Sequence, residues 1–482
     1  DVGMNRYNLA FGELKPDAAP FGHDGLIVAN NVVPVAGGYA PLPAFAAASN
    51  GTLASACLGA GSFKAANGGT FTFAGTASNL YSYARAGWTS VGSGYLATAD
   101  FPWRFEQFGN RVIATNGVDA VQSIPFDGTG VVALAGSPPK MRFLATVREF
   151  LFGGVINGDV YTLAWSGSNN CEQWVYGTNQ SDYQTFPVGG AITGITGGEY
   201  GLVFQENRIT RASYVGGNLI FQFDEISANV GCIAPRSICQ YGNTVFFLSA
   251  RGFMACDGNS VTPIGDERID RAFRAAADTQ QAAVMSATVD PVNKRVIWTV
   301  PVAGAVPQTW YIYSFALGRW STATQYAEFL FQGLSADYTL DDLDAITVNL
   351  DALPYDMDSN RWRGAVPGVY VVNDSHALGT MSGSNSAATL TFPDVEPVSG
   401  RSTRLRRVRP VVDASGGLTV TIASRQRLGD SVTTTAFSTL NTSGDMPCRK
   451  TVRSMRPSLG IAAATVWTFT TGLQFEVEGG FG

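Results

Sequence analysis

Hydrophobic positions along this chain come in short aromatic or β-branched runs. Gly, Asn and Asp break the runs, and the break recurs. A turn leads into an apolar strand at Asn67-Gly68-Gly69 before Phe71 and Phe73, and at Gly109-Asn110 before Val112 and Ile113. The same pattern returns at Arg148-Glu149 before Phe150-Leu151-Phe152 and at Gly198-Glu199 before Leu202-Val203-Phe204. It continues at Gly242-Asn243 before Val245-Phe246-Phe247 and at Asn293-Lys294 before Val296-Ile297-Trp298. The turn centres, near 68, 109, 148, 198, 242 and 293, are 39 to 51 residues apart. Four-stranded propeller blades repeat every ~40–50 residues. Radial packing of such blades also covers strand edges that would otherwise pair between molecules. The spacing therefore predicts an all-β chain with a β-propeller of about six blades over residues 51–335. Residues 1–50 form an N-terminal segment for neighbour contacts, in which 25–33 supplies the strand that closes the ring. An ordinary β-sandwich pair with irregular loops is the alternative reading of the same pattern.

Two stretches depart from the repeat. Asp266 and Glu267 open a helical pattern, with Ile269 and Phe273 four apart and an Ala-rich run to about Met285. Acidic residues suit a helix N-terminus, so a helix is expected there. Residues 296–318 carry no charge but contain Pro301 and Pro307, which predicts two strands at 295–300 and 309–315 rather than a membrane span. Beyond residue 361 the pattern alternates with period two. Leu418, Val420 and Ile422 share one face, as do Leu473, Phe475 and Val477. Half-buried antiparallel strands follow, and with them a C-terminal β-sandwich over 361–482.

Charge adds a boundary. Residues 1–360 hold 19 basic and 30 acidic side chains, whereas 361–482 hold 13 basic and 8 acidic. An acidic run, Asp337, Asp341, Asp342, Asp344, Asp351, Asp356 and Asp358, falls between the halves, so 336–360 reads as a linker. The formal net charge of −6 argues against a generally basic nucleic-acid binder. The densest basic feature is Arg401, Arg404, Arg406, Arg407 and Arg409. A bulge at Arg406-Arg407 would turn Leu405, Val408 and Val412 inward and Arg404 and Arg409 outward. Such a strand can be a solvated face, a dock for an acidic protein surface or a phosphate contact, and docking is the favoured use. The acidic run is the matching candidate, either for assembly or for lining a lumen.

Candidate chemistry is sparse. The six cysteines show no C-x-x-C spacing and read as small buried hydrophobes made in a reducing compartment. The two histidines, His23 and His376, flank turns, and no G-x-S-x-G elbow accompanies them. No phosphate-binding glycine loop is present in the sequence. Asp356-Met357-Asp358-Ser359-Asn360 opens like a calcium loop, but Arg361 stands where glycine is needed and Pro367 where glutamate is needed. Ser168 to Trp174 only approaches the Asp-box of propeller sialidases. The expectation is a protein that is not an enzyme, with no catalytic, cofactor-binding or metal residues.

Several segments resemble a known family. Phe11-Gly12-Glu13, Asn31-Val32-Val33-Pro34 and Gly38-Tyr39-Ala40-Pro41-Leu42-Pro43 are similar to the opening of bacteriophage tail proteins. Gly136-Ser137-Pro138-Pro139, Trp165-Ser166-Gly167 with Trp174, Leu343-Asp344-Ala345 and Leu350 to Pro354 add to the likeness, as do Arg361-Trp362 and Arg425 to Asp430. Together they resemble the tail nozzle or hub of short-tailed phages, the tail tubular protein B and packaged-DNA-stabilisation type. The resemblance implies a structural virion protein made in the host cytoplasm. Its subunits would form a homo-hexameric ring that continues the DNA channel, retains the packaged genome and passes it during ejection. Implied partners are further copies of the chain, a portal-adaptor or tail tube protein, tail fibres or spikes, and transient double-stranded DNA in the lumen. No cofactor and no small-molecule substrate are implied. The alternatives are a baseplate or receptor-binding tail component and a carbohydrate-binding or carbohydrate-cleaving propeller.

Overall fold

A computed structural model of the chain describes residues 5–84, 87–126, 130–277, 285–302, 305–335, 366–427 and 429–481. Nearly every element is a strand, and the strands sort into a propeller and a sandwich. Each blade begins with its inner strand. These are Gly59–Lys64, Arg104–Phe108, Met141–Val147, Ile192–Thr196, Cys239–Tyr241, Ser286–Asp290 and Phe329–Leu334. Three more strands follow each inner strand outward in antiparallel order. The six turn centres read from the sequence are the six hairpins between the first and second strands of blades one to six.

The propeller has seven blades, and the seventh was hidden from the spacing. Its strands are Phe329–Leu334, Pro367–Val372, Ala377–Thr380 and, from far upstream, Ala46–Thr52. Closure therefore comes from 46–52 and not from 25–33. Ala377 pairs with Thr52, and Gly379 with Ala47. The inner strand of blade seven lies against those of blades one and six, which completes the ring.

The boundary drawn at 336–360 is also corrected. Phe329–Leu334 and Pro367–Val372 pair with each other from Phe329↔Val372 to Leu334↔Pro367. The acidic run is thus inserted within one hairpin of blade seven, and the propeller continues to residue 380. A change of charge marked an insertion rather than a domain junction. The acidic aspartates themselves lie outside the described residues, as do Asp356 to Asn360 of the calcium-like stretch.

The sandwich is built from both ends of the chain. One sheet runs Val32–Val35, Gly38–Pro41, Thr470–Phe481, Ser402–Val412 and Met446–Val452, with Asn5–Ala10 also on Thr470–Phe481. The other runs Val28–Asn30, Ala388–Thr391, Ser454–Ile461, Leu418–Arg425 and Thr433–Phe437. So the N-terminal segment is mostly sandwich, and the propeller is inserted into it. Alternation does what period two predicts: Leu418, Val420, Ile422, Leu473, Phe475 and Val477 are all buried.

The second sheet continues without a break into blade six, where Asn30 pairs in parallel with Thr322. One apolar cluster spans the joint, from Phe253, Trp298 and Trp320 in the blades to Leu405, Leu459 and Phe475 in the sandwich. The two buried tryptophans place their ring N–H groups on carbonyls, Trp298 on Ser237 at 2.9 Å and Trp320 on Ile264 at 2.9 Å.

The expected helix is one short helix, Asp270–Ala276, and residues 278–284 of the predicted run lie outside the described residues. The uncharged stretch forms two paired strands, Arg295–Val302 and Ala305–Ser314. No helix among the described residues is long and apolar enough to cross a membrane.

Candidate functional sites on the sandwich face and in the propeller channel

The arginine-rich strand, Ser402–Val412, carries the predicted bulge. Its pairing slips between Leu405 and Arg407. Leu405 and Val408 are both fully buried, while Arg404, Arg406, Arg407 and Arg409 are exposed and Val412 is half-buried. An extra residue reverses the parity of the strand, so two apolar residues three apart can both face inward. Arg401 is exposed just before the strand.

The outward face is not a bare positive patch. Thr470–Phe481 pairs alongside and contributes Glu476 and Glu478. Arg406 is ion-paired with Glu478, and Arg404 stands 4.0 Å from it. Arg407 reaches Asp445 at 3.3 Å and also pairs with Glu476. The hydrogen bond from Arg406 holds the Glu478 carboxyl below its ordinary value. Among the described residues, Arg401 and Arg409 have no ion pair. Exposed pairs of this kind add little to stability. The face can exchange partners at little cost, since any arriving carboxylate replaces one already present.

Each histidine sits beside a turn with a partner of its own. His376 Nδ1 lies 2.7 Å from Glu328, whose other oxygen accepts from the Cys57 amide at 3.0 Å. His23 Nδ1 accepts from the Gly25 amide at 3.0 Å, and burial pushes its pKa down. All six cysteines are free thiols, five of them buried. No group of three or more potential metal ligands occurs among the described residues.

Sequence reasoning missed the propeller channel. A cavity of about 350 Å³ opens between the inner strands of blades two to five, lined by Arg104, Glu106, Thr146, Gly197 and Gln240 among others. A side pocket of about 100 Å³ adjoins it through the shared residues Arg104, Phe143 and Pro235, and Arg142, Arg236 and Asp100 complete its wall. Three arginines from three blades thus meet at one mouth, where the inner strands start. Arg104 donates to the Pro235 carbonyl at 3.1 Å, and Arg142 donates to the Asp100 carbonyl at 2.5 Å. Both guanidiniums lie over the Phe143 ring, at 5.7 and 5.5 Å, and Arg236 lies over Phe329 at 4.9 Å.

Burial, then the positive charges of Arg236 and Arg142, push Arg104 down to about 9. Burial pushes Arg236 down to about 10 and lowers Arg142 as well. Deeper in the channel, burial raises Glu106 to about 7 although its carboxylate accepts from the Thr146 amide at 2.9 Å. One signal was available. Arg104, Arg142 and Arg236 each stand five or six positions before a repeat turn, at 109, 148 and 242. Aligning the repeats on their turns brings the three basic positions into register.

No family profile matches the chain, and comparison with curated proteins finds no match. Among solved structures, the chain is similar to the WD40 domain of Neurospora crassa Pan2, with 9% identity, a TM-score of 0.36, and 57% of this chain and 82% of that one covered. It is similar to the dihydro-heme d1 dehydrogenase NirN, with 9% identity, a TM-score of 0.37, and 82% and 76% covered. It is also similar to hydrazine synthase of Kuenenia stuttgartiensis, with 13% identity, a TM-score of 0.31, and 60% and 76% covered. The propeller itself is defined by the strand order of this chain.

Proposed function

We propose that this chain is a structural subunit of a bacteriophage short-tail nozzle, assembling as a ring that continues the DNA channel, holds the packaged genome and passes it at ejection. The observation that carries this reading is where the family-like opening segments fall. The three lie beside the joint between sandwich and propeller: Phe11 and Tyr39 belong to the apolar cluster that also holds Trp298 and Trp320, and Val33 and Leu42 to one that holds Ile297 and Trp310 of blade six. Phe11 stacks on Phe392 of the sandwich, with ring centroids 5.0 Å apart. Tyr39 is fully buried and donates to the Gly12 carbonyl at 2.9 Å. Gly12 and Gly38 sit so close to other backbone that a Cβ would lie about 2.2 Å from the Asp24 oxygen and 2.1 Å from the Thr470 oxygen. Asn31, at φ 57°, donates to the Ala387 carbonyl at 2.8 Å and accepts from the Thr324 amide at 2.9 Å. These opening segments supply part of a likeness that is scattered over most of the chain, and its segments at 343–345, 350–354 and 361–362 lie outside the described residues.

A ring of like subunits joins two different surfaces of each copy. The arginine face of the sandwich is one candidate. The acidic insertion is the other, leaving the described structure at the end of the blade-seven inner strand. Opposite charge at such an interface speeds and registers the encounter more than it strengthens it. Within this reading the further partners are a portal-adaptor or tail tube protein above, fibres or spikes at the side, and duplex DNA in the shared lumen.

Negative-stain images of the full chain, alone and mixed with a portal-adaptor complex, test the reading. A closed ring, alone or seated on the adaptor, is the expected result. A chain that stays monomeric in both mixtures would overturn it.

A further inference from the structure

We propose that the arginine-lined mouth of the propeller channel is a binding site for a terminal phosphate group carried on a small molecule. The site is independent of the ring reading, and duplex DNA is far too wide for a cavity of about 350 Å³.

The argument starts from charge. Arg104, Arg142 and Arg236 line one pocket of about 100 Å³, and Asp100 is the one carboxylate residue in its wall. Among the described residues no ion pair engages Arg104 or Arg142, although other arginines of the chain, such as Arg111, Arg295 and Arg456, have carboxylate partners. In that wall guanidinium donors outnumber carboxylates, which suits a group with several acceptor oxygens, and a phosphate monoester offers more of them than a carboxylate does.

Geometry adds the second part. The guanidiniums are held in place rather than swinging in solvent. Arg236 is only 6% exposed, Arg104 is fixed by the Pro235 carbonyl, and Arg142 is fixed by the Asp100 carbonyl. Each of the last two bonds uses one of five N–H donors, so most donors remain for a ligand. The Phe143 ring beneath Arg104 and Arg142, and Phe101 beside Arg142 at 4.9 Å, limit the directions they can take. Burial first, and then the neighbouring like charges, lower the affinity of Arg104 for its proton. A tetrahedral oxyanion among those charges relieves their repulsion.

Volume supplies the third part. The small pocket has room for one such group, and it opens into the larger cavity. Blade four contributes Gly194, Ile195, Thr196, Gly197 and Gly198 to the wall of that cavity. The rest of the ligand would lie there, against Thr146 and Gln240.

Titration calorimetry on the full chain tests this, with inorganic phosphate and phenyl phosphate as probes and acetate as the carboxylate control. One saturable phosphate site per chain is expected, with phenyl phosphate bound more tightly than phosphate and acetate bound least. Arg142→Gln should weaken phosphate about tenfold or more, the loss of one charge-assisted hydrogen-bond donor set. Arg104→Gln should do the same, and Arg409→Ser on the sandwich face should not. Arg142 lies at the mouth and only partly buried, so its variant is expected to keep the parent fold by circular dichroism even where the Arg104 variant does not. No saturable binding, or equal affinity in the parent and Arg142→Gln, would overturn the site. Tighter binding of acetate than phosphate would overturn the phosphate assignment.

Discussion

Lys294 and Arg148 hold φ near +50°, where the matching turns of blades one, two, four and five place Gly68, Gly109, Gly198 and Gly242 at positive φ. A side chain in this region costs roughly 1 kcal/mol, because Cβ crowds the backbone. Lys294 has no ion pair among the described residues, so Lys294→Gly should stabilise the chain by about 0.5–1 kcal/mol in urea titration. Arg148 differs. It lies over Tyr214 at 4.9 Å and within 4 Å of Glu149 and Glu199, so Arg148→Gly should be close to neutral. Equal gains at both sites would show that backbone strain alone sets the outcome. Glu106 supplies a pH test. Burial raises its carboxyl from the ordinary 4.5 to about 7, so the folded chain binds this proton more tightly than the unfolded chain does. Its contribution is fully present below about pH 4.5 and is lost as pH rises through about 7. Glu106→Gln can keep the bond from the Thr146 amide and has no proton to lose. The variant should match the parent near pH 4.5 and exceed it by about 1–2 kcal/mol at pH 8. A variant less stable than the parent at pH 8 would mean that the nearby arginines outweigh burial.

At the scale of elements, the sequence disclosed what repeats locally and concealed what is assembled at a distance. The hairpin turns of blades one to six were legible because each turn and its strand are contiguous. The bulge beside Arg406 was legible because Leu405 and Val408 could not both be buried without it. The seventh blade was not, because the insertion of 336–365 separates its first two strands and its outer strand lies some 300 residues upstream. The boundary near 360 failed for the same reason, since charge patterning reports composition and not pairing. The channel arginines escaped because they are one per blade, and only the closed ring brings them together. Closure can be tested at Gly379, where a Cβ would fall 2.2 Å from the Ala46 carbonyl oxygen and 2.5 Å from the Phe45 ring. Gly379→Ala should therefore push the closing strand off and cost about 1–3 kcal/mol in chemical unfolding. A control at Gly400, which has open space around it but φ +72°, should lose only the smaller cost of strain.

For the whole molecule, the consequence of building the sandwich from both chain ends is mechanical coupling. The chain enters the sandwich, leaves it to form the ring, and returns after Thr380. Blade six and one sandwich sheet are a single nine-stranded sheet. The apolar cluster continues across the same joint. Two domains linked by a tether would melt apart, since few contacts would cross between them. Here the largest shared cluster draws on both halves, so calorimetry on the full chain should show one transition in which the propeller and sandwich unfold together. Asn31 is the residue to perturb, because its side chain bonds the sandwich at Ala387 and blade six at Thr324. Asn31→Ala leaves the Ala387 carbonyl and the Thr324 amide without this partner, at about 1–3 kcal/mol for each group that stays buried. The expected outcome is a lower melting temperature with the single transition preserved. A parent protein with two well-separated transitions, or an Asn31→Ala variant that melts in two steps while keeping the upper one at the parent temperature, would show that the joint fastens the halves without coupling their stability.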